Sequence, residues 1–137
     1  MSAGLERFVT AQAPVWQAVE AELAAGRKRS HWMWFIFPQI AGLGRSATSV
    51  HYALDDIGEA RAYLAHPLLG ARLRRAAELM LTHRGQPAER ILGGIDAVKL
   101  RSSMTLFAAA DPSEPLFPAV LDAFFEGSPD PATRALI

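Results

Sequence analysis

The chain contains no cysteine, which excludes disulfides, thiolate metal sites and cysteine nucleophiles. Freedom from disulfides suits a reducing compartment, so a cytoplasmic location is expected. The chain also lacks an excess of either charge, because 14 basic residues offset 14 acidic ones. Partners held by bulk charge, such as DNA or an anionic membrane surface, usually leave a basic excess, and neither is expected. Long apolar runs are missing as well. The most apolar stretch, residues 32–37, is far shorter than the roughly 20 residues that span a bilayer. The opening MSAGLERFV carries a charge pair where a signal peptide needs an apolar run. None of His31, His51, His66 and His83 forms an HxxxH or HxH pair with a nearby carboxylate, so neither a metal nor a cofactor is expected. Gly42-Leu43-Gly44 is not followed by Gly-Lys-Ser/Thr and is no phosphate loop.

The 137 residues, half of them hydrophobic, fit one domain over 1–137 with a substantial core. Leu5, Phe8 and Val9 fit a short opening helix. Pro14 suits the first turn of a second, in which Val15, Trp16, Val19 and Leu23 fall within about 100° of arc, with Gly26 as its stop. Arg27, Lys28 and Arg29 read as a solvated basic turn. Residues 32–37 fit either a buried strand or a buried helical turn, ended by Pro38, and 39–49 read as an ordered loop. Asp56 and Glu59 have the spacing of a capping box. The helix they open is broken by His66-Pro67, and Pro67 starts the next. On that helix Leu68, Leu69, Leu73, Ala76, Leu79 and Met80 share a face. Arg72 lies on the same face, as a snorkelling or salt-bridged residue, and His83 falls near the C-terminal end. Further helices are predicted over 96–109 and 116–126, the latter stopped by Gly127. Asp130-Pro131 opens a short last one over 131–137. The expectation is an all-α single domain of six to seven helices with little or no sheet.

Two segments are poor candidates for ordinary core. In DAVKLRSSMTLF (96–107), an ideal helical pitch of about 100° per residue puts Asp96, Lys99 and Ser103 on one face, bordering the stripe of Leu100, Met104 and Phe107. Arg101 and Thr105 then face solvent. A lysine at such an edge must snorkel, pair with a carboxylate or line a cavity. One reading is an Asp96–Lys99 helix pair with Ser103 bonding back to the Lys99 carbonyl. The other is the polar floor of a pocket, with Lys99 as an anion contact. In SHWMWFIFPQ (30–39), aromatic residues either build core or stack on a planar ligand, and His31 and Gln39 bracket them with hydrogen-bonding groups. The candidate ligand-binding residues are therefore His31, Trp32, Trp34 and Gln39, with His51 and Tyr52 after the glycine loop, and Asp96, Lys99, Ser102 and Ser103. An aromatic wall beside a cationic floor suits a small anionic partner, a nucleotide-like or sugar-phosphate metabolite. The competing reading is a protein-interaction module that exposes Trp32 and Trp34.

HWMWFIFPQ, GLG-R-S, HPLLG-x-RL and D-x-x-KL-x-SSMTLF occur here in that order. In these motifs the sequence resembles the bacterial domain-of-unknown-function family numbered 1810, over roughly residues 4–126. Some members of that family carry the label "calpastatin", which nothing in this sequence supports. The resemblance implies an all-helical single domain and no established activity. VHYAL at 50–54 and AVKLRSSMTLF at 97–107 are similar, more distantly, to segments of the NADAR family. That resemblance implies an N-glycosidase acting on ADP-ribose-like or ribose-phosphate compounds. The chain departs from that family by placing Val50 where a carboxylate would precede His51.

Overall fold

In the computed structural model, which describes residues 2–137, the chain folds into helices connected by short loops. They are α1 (Ser2–Gln12), α2 (Trp16–Ala25), α3 (Met33–Ile36), α4 (Ala47–Tyr52), α5 (Ile57–Ala65), α6 (Pro67–Leu81), α7 (Ala88–Leu92), α8 (Gly94–Ala110), α9 (Leu116–Phe125) and α10 (Pro131–Leu136). Met1, within the expected 1–137 span, lies outside the described residues. The all-α expectation stands, but the described residues form ten helices, not six to seven. The additional ones are α3, α4 and α7, of 4, 6 and 5 residues, too short for a 3.6-residue period to register. Residues 32–37 thus resolve as a single helical turn, and the loop predicted over 39–49 gives way to α4 at Ala47. Among the described residues the one β-type pairing is a parallel bridge between Ile40 and Leu54. It is closed by the Leu54 amide donating to the Gln39 carbonyl at 2.9 Å and the Ala41 amide donating to the Leu54 carbonyl at 2.8 Å.

Local signals set most of the long helices. Asp56 accepts from the Glu59 amide at 2.8 Å, while the Glu59 carboxylate reaches back to the Asp55 amide at 3.0 Å, a capping box displaced by one residue. His66 caps α6 through Nδ1, which accepts from the Leu68 and Leu69 amides at 3.2 Å. An accepting Nδ1 leaves the ring proton on Nε2. Asp130 caps α10 by accepting from the Thr133 amide and hydroxyl. Gly26 ends α2 with φ 74°, in the left-handed region that favours glycine. The His83 ring packs against it and donates from Nε2 to the Leu23 carbonyl at 2.7 Å.

Helix α8 is the central strut. It packs against α5, α7, α9 and α10 and buries Leu100, Met104, Leu106 and Phe107 together with Ser102, Ser103 and Thr105. A helix covered on nearly all sides needs partners for its hydroxyls. The Thr105 hydroxyl donates to the Arg101 carbonyl at 2.8 Å and accepts from the Asp130 amide at 2.9 Å. Thr105 was expected to face solvent; it is buried because the turn before α10 closes over that face. Across the molecule, Gln12 donates to the Phe35 carbonyl at 2.7 Å and to the Tyr63 hydroxyl at 3.1 Å. Burial raises the Tyr63 pKa, so the phenol stays neutral in this network. Arg72 lies over the Trp16 ring, 5.2 Å from its centroid, and donates to the Gln12 side-chain Oε1 at 3.3 Å. Among the described residues it has no carboxylate partner; the Gln12 amide of α1 and the Trp16 indole face of α2 take that place.

One carboxylate fixes the segment that follows α2. Glu22 accepts from the Arg29 amide at 2.7 Å, the Ser30 amide at 2.9 Å, the Ser30 hydroxyl at 2.7 Å and the Trp32 indole N–H at 3.0 Å. Burial opposes ionisation of Glu22, but these hydrogen bonds outweigh it and lower its pKa to about 2. The folded-state pKa thus lies below the ordinary value of 4.5. The stabilisation is complete above about pH 4.5 and is lost as the pH falls through about 2.

Two outcomes follow for stability. Glu22→Gln should lower unfolding free energy by about 2 kcal/mol at neutral pH, the scale of charge-assisted hydrogen bonds. Urea titrations should show the gap between variant and wild type closing as the pH falls from about 4.5 towards 2; a pH-independent gap contradicts the assignment. The second concerns Gly70, whose added Cβ would run into the Leu64 carbonyl at the end of α5. Gly70→Ala should destabilise by about 2 kcal/mol despite its better helix propensity. Gly94→Ala, where the added carbon meets open space, should be neutral or mildly stabilising in the same thermal melts.

Candidate functional site

The two unusual segments meet. Residues 28–34 meet the first turns of α8 through Lys28–Asp96 and Trp34–Lys99, and the Lys28 amide ties them to α7 by donating to the Ile91 carbonyl at 2.8 Å. The Lys28 ammonium lies 2.9 Å from Asp96 Oδ2, and the Lys99 ammonium lies 3.5 Å from Asp96 Oδ1. Each ammonium also stands over an indole. Lys28 is 5.0 Å from the Trp32 ring centroid and Lys99 is 4.6 Å from that of Trp34, a favourable cation–π arrangement. Asp96 thus bridges two lysines backed by aromatic faces.

Around this cluster a cleft opens in two lobes. The first, about 480 Å³, is bounded by Lys28, His31, Trp34, Asp96 and the exposed Gly93-Gly94 turn. The second, about 430 Å³, lies between the loop before α4, helix α8 and the start of α10. Its polar groups are Gln39, Ser49, Ser102 and Asp130, and its apolar walls are Leu43, Ile95, Val98 and Ala132. Ile95 and Lys99 line both lobes. A small recess floored by Trp34 and Tyr52 adjoins the second lobe at Gln39 and Ser49. The Ile40–Leu54 bridge holds that wall, and Ser46 caps α4 by accepting from the Ser49 amide at 3.1 Å. Volumes of this size are typical of small-molecule sites.

The charges in the cleft are fixed by their partners. Burial works against ionisation of Asp130, but the Thr133 and Ser102 hydroxyls, the Thr133 amide and the charge of Arg101 hold its pKa below the ordinary carboxylate range. Ser102 donates to it at 3.0 Å. Asp130 is therefore an anion lining the same lobe as Lys99. Among the described residues, no group of three or more histidines and acids is gathered as a metal site would require.

Of the sequence candidates, His31, Trp34, Gln39, Asp96, Lys99 and Ser102 line the two lobes or their recess, and Tyr52 reaches the recess alone. Three do not line the cleft. Trp32 is 0% exposed and belongs to the core, its indole N–H committed to Glu22. His51 is exposed, with its ring edge-on to Tyr52 and its carbonyl accepting from Arg7. Ser103 is fully buried, and its hydroxyl has no hydrogen-bond partner among the described residues. The expected back-bond within α8 is made instead by Thr105. The Asp96–Lys99 pair exists, but inside the cleft and shared with Lys28.

Lys28 was the clearest omission. Within Arg27-Lys28-Arg29 nothing marks the middle residue, yet its side chain is only 9% exposed. Leu43, Ser49, Ile95, Val98, Asp130 and Ala132 were also unforeseen. Ile95 and Val98 carried a legible signal, as apolar residues three apart on the outer face of α8.

Among the described residues, no helix is long and apolar enough to cross a membrane. The crystal structure of the conserved hypothetical protein Rv1873 from Mycobacterium tuberculosis superposes on the chain with a TM-score of 0.95 at 50% sequence identity. The alignment covers 97% of this chain and 95% of that one. No curated protein matches. The family model described as "Protein of unknown function (DUF1810)" matches residues 2–137, and the chain belongs to that family.

Proposed function

We propose that the cleft binds a small anionic metabolite of the nucleotide-like or sugar-phosphate class. The observation that carries the reading is convergence. Lys99, Gln39, Ser49 and Ser102 come from separate parts of the chain and face one continuous cavity with Trp34 at its edge. Polar groups gathered on an apolar concavity are the usual form of a ligand site. A cytoplasmic setting belongs to the same proposal, because such metabolites are made there and the chain has no cysteine to oxidise.

The competing readings gain less. Glycosidic cleavage needs an available carboxylate, and Val50 is 63% exposed where one would precede His51. The carboxylates in the cleft are engaged, Asp96 by two lysines and Asp130 by the cap of α10. A protein-interaction module loses Trp32 to the core.

Thermal melts against a panel of nucleotides and sugar phosphates test the reading. A ligand at about 100 times its Kd adds about 2.7 kcal/mol, which for a chain of this size raises Tm by roughly 8–10 °C. Ala132→Trp, an exposed position lining the second lobe, should fill that lobe and abolish the shift while preserving the unliganded Tm. A panel with no effect on the wild type, or a shift that survives Ala132→Trp, sinks the proposal.

A further inference from the structure

The two lobes differ in chemistry, and the difference narrows the ligand class. Resting on the reading above, we infer that the cleft selects a ligand with a single phosphate group and an apolar or planar body, such as a nucleoside monophosphate, over a polyphosphate.

Charge balance is the first reason. Two lysines and two carboxylates line the lobes, Lys28, Lys99, Asp96 and Asp130. Lys28 and Asp96 form the tighter pair at 2.9 Å, with side chains 9% and 18% exposed. Both ammoniums stand over indoles, Lys28 over Trp32 and Lys99 over Trp34, so the ion-pair distance is what separates them. Lys99 is held more loosely, at 3.5 Å from the same carboxylate, and it borders both lobes. Lys99 is therefore the cation free to turn to a ligand anion. Asp96 lies on one side of it and the ionised Asp130 lines the second lobe. A second or third phosphate brings charge for which the cleft has no matching cation, and sets it near a carboxylate.

The body of the ligand has its own surface. Ile95 is 78% exposed and Val98 63% exposed. Three residues apart on α8, they share a face, and Leu43 and Ala132 line the same lobe. An apolar or planar group laid there covers side chains now in water. Gln39 and Ser49 stand at the inner end for polar edges. The anion then sits at the Lys99 junction and the body in the second lobe.

Isothermal titration calorimetry at fixed ionic strength, with ribonucleosides and their 5′-monophosphates and 5′-triphosphates, tests this. The monophosphate should bind about tenfold tighter than its nucleoside, and the triphosphate no tighter than the monophosphate. Lys99→Met should reduce the monophosphate to the nucleoside's affinity and leave the nucleoside within about threefold. Asp96→Asn, which removes one negative charge without touching the apolar walls, should raise triphosphate affinity about tenfold and provides the decision if Lys99→Met folds poorly. A wild type that prefers the triphosphate by tenfold or more overturns the inference, as does a Lys99→Met loss equal for nucleoside and monophosphate. In either case the binding cleft itself survives. If no member binds the wild type, the cleft reading falls and the charge selection with it.

Discussion

The carboxylate of Glu22 is the constraint on which the rest of the cleft depends. It accepts four hydrogen bonds from three residues, all within the turn that follows α2. Backbone amides in an irregular turn need partners as much as those in a helix, and one ionised group supplies them. The turn so fixed delivers Lys28 to Asp96, sinks Trp32 into the core and leaves Trp34 at the cleft. The Gln12 amide holds the other end of this stretch through the Phe35 carbonyl. Two polar anchors, the buried Gln12 of α1 and the half-buried Glu22 of α2, therefore position a segment that has only one helical turn of its own.

The opposite wall is rigid for a different reason. Helix α8 is covered on most of its circumference, and the Ser102 and Thr105 hydroxyls are used as internal fastenings rather than left to solvent. Thr105 and Ser102 both bind Asp130, so the start of α10 is locked to α8 and the second lobe has a fixed side. The exposed Ile95 and Val98 lie on the part of α8 that nothing covers. A preorganised wall of this kind lowers the ordering cost of binding. The cleft thus combines a polar junction of neutralised charges with an apolar shelf, and that pairing gives the ligand its direction.

Much of the fold was legible because its signals are local. Asp56, His66-Pro67, Asp130-Pro131 and Gly26 each act within a few residues, and each ends or begins a helix where the sequence indicated. The short helices were not legible, since α3 and α7 depend on tertiary neighbours rather than on periodic faces. The site divides in the same way. Asp96 and Lys99 could be placed from helical angles alone, whereas Ser103, placed on the same face, is buried and its neighbour Ser102 lines the cleft. Lys28 could not be placed so, because a basic residue between two arginines is buried only once Asp96 and Trp32 are brought beside it. Thr105 and Trp32 were misjudged for the same reason: α10 covers one, and Glu22 anchors the other. Angular position on a helix indicates a side, but which neighbour occupies that side is decided far away in the chain.

A crystal structure of the chain grown with a saturating nucleoside monophosphate tests the central claim most directly. Density for the phosphate within hydrogen-bond reach of the Lys99 ammonium, with the base against Ile95 and Val98, is the expected result. An empty cleft at saturation, or ligand bound elsewhere on the surface, contradicts it.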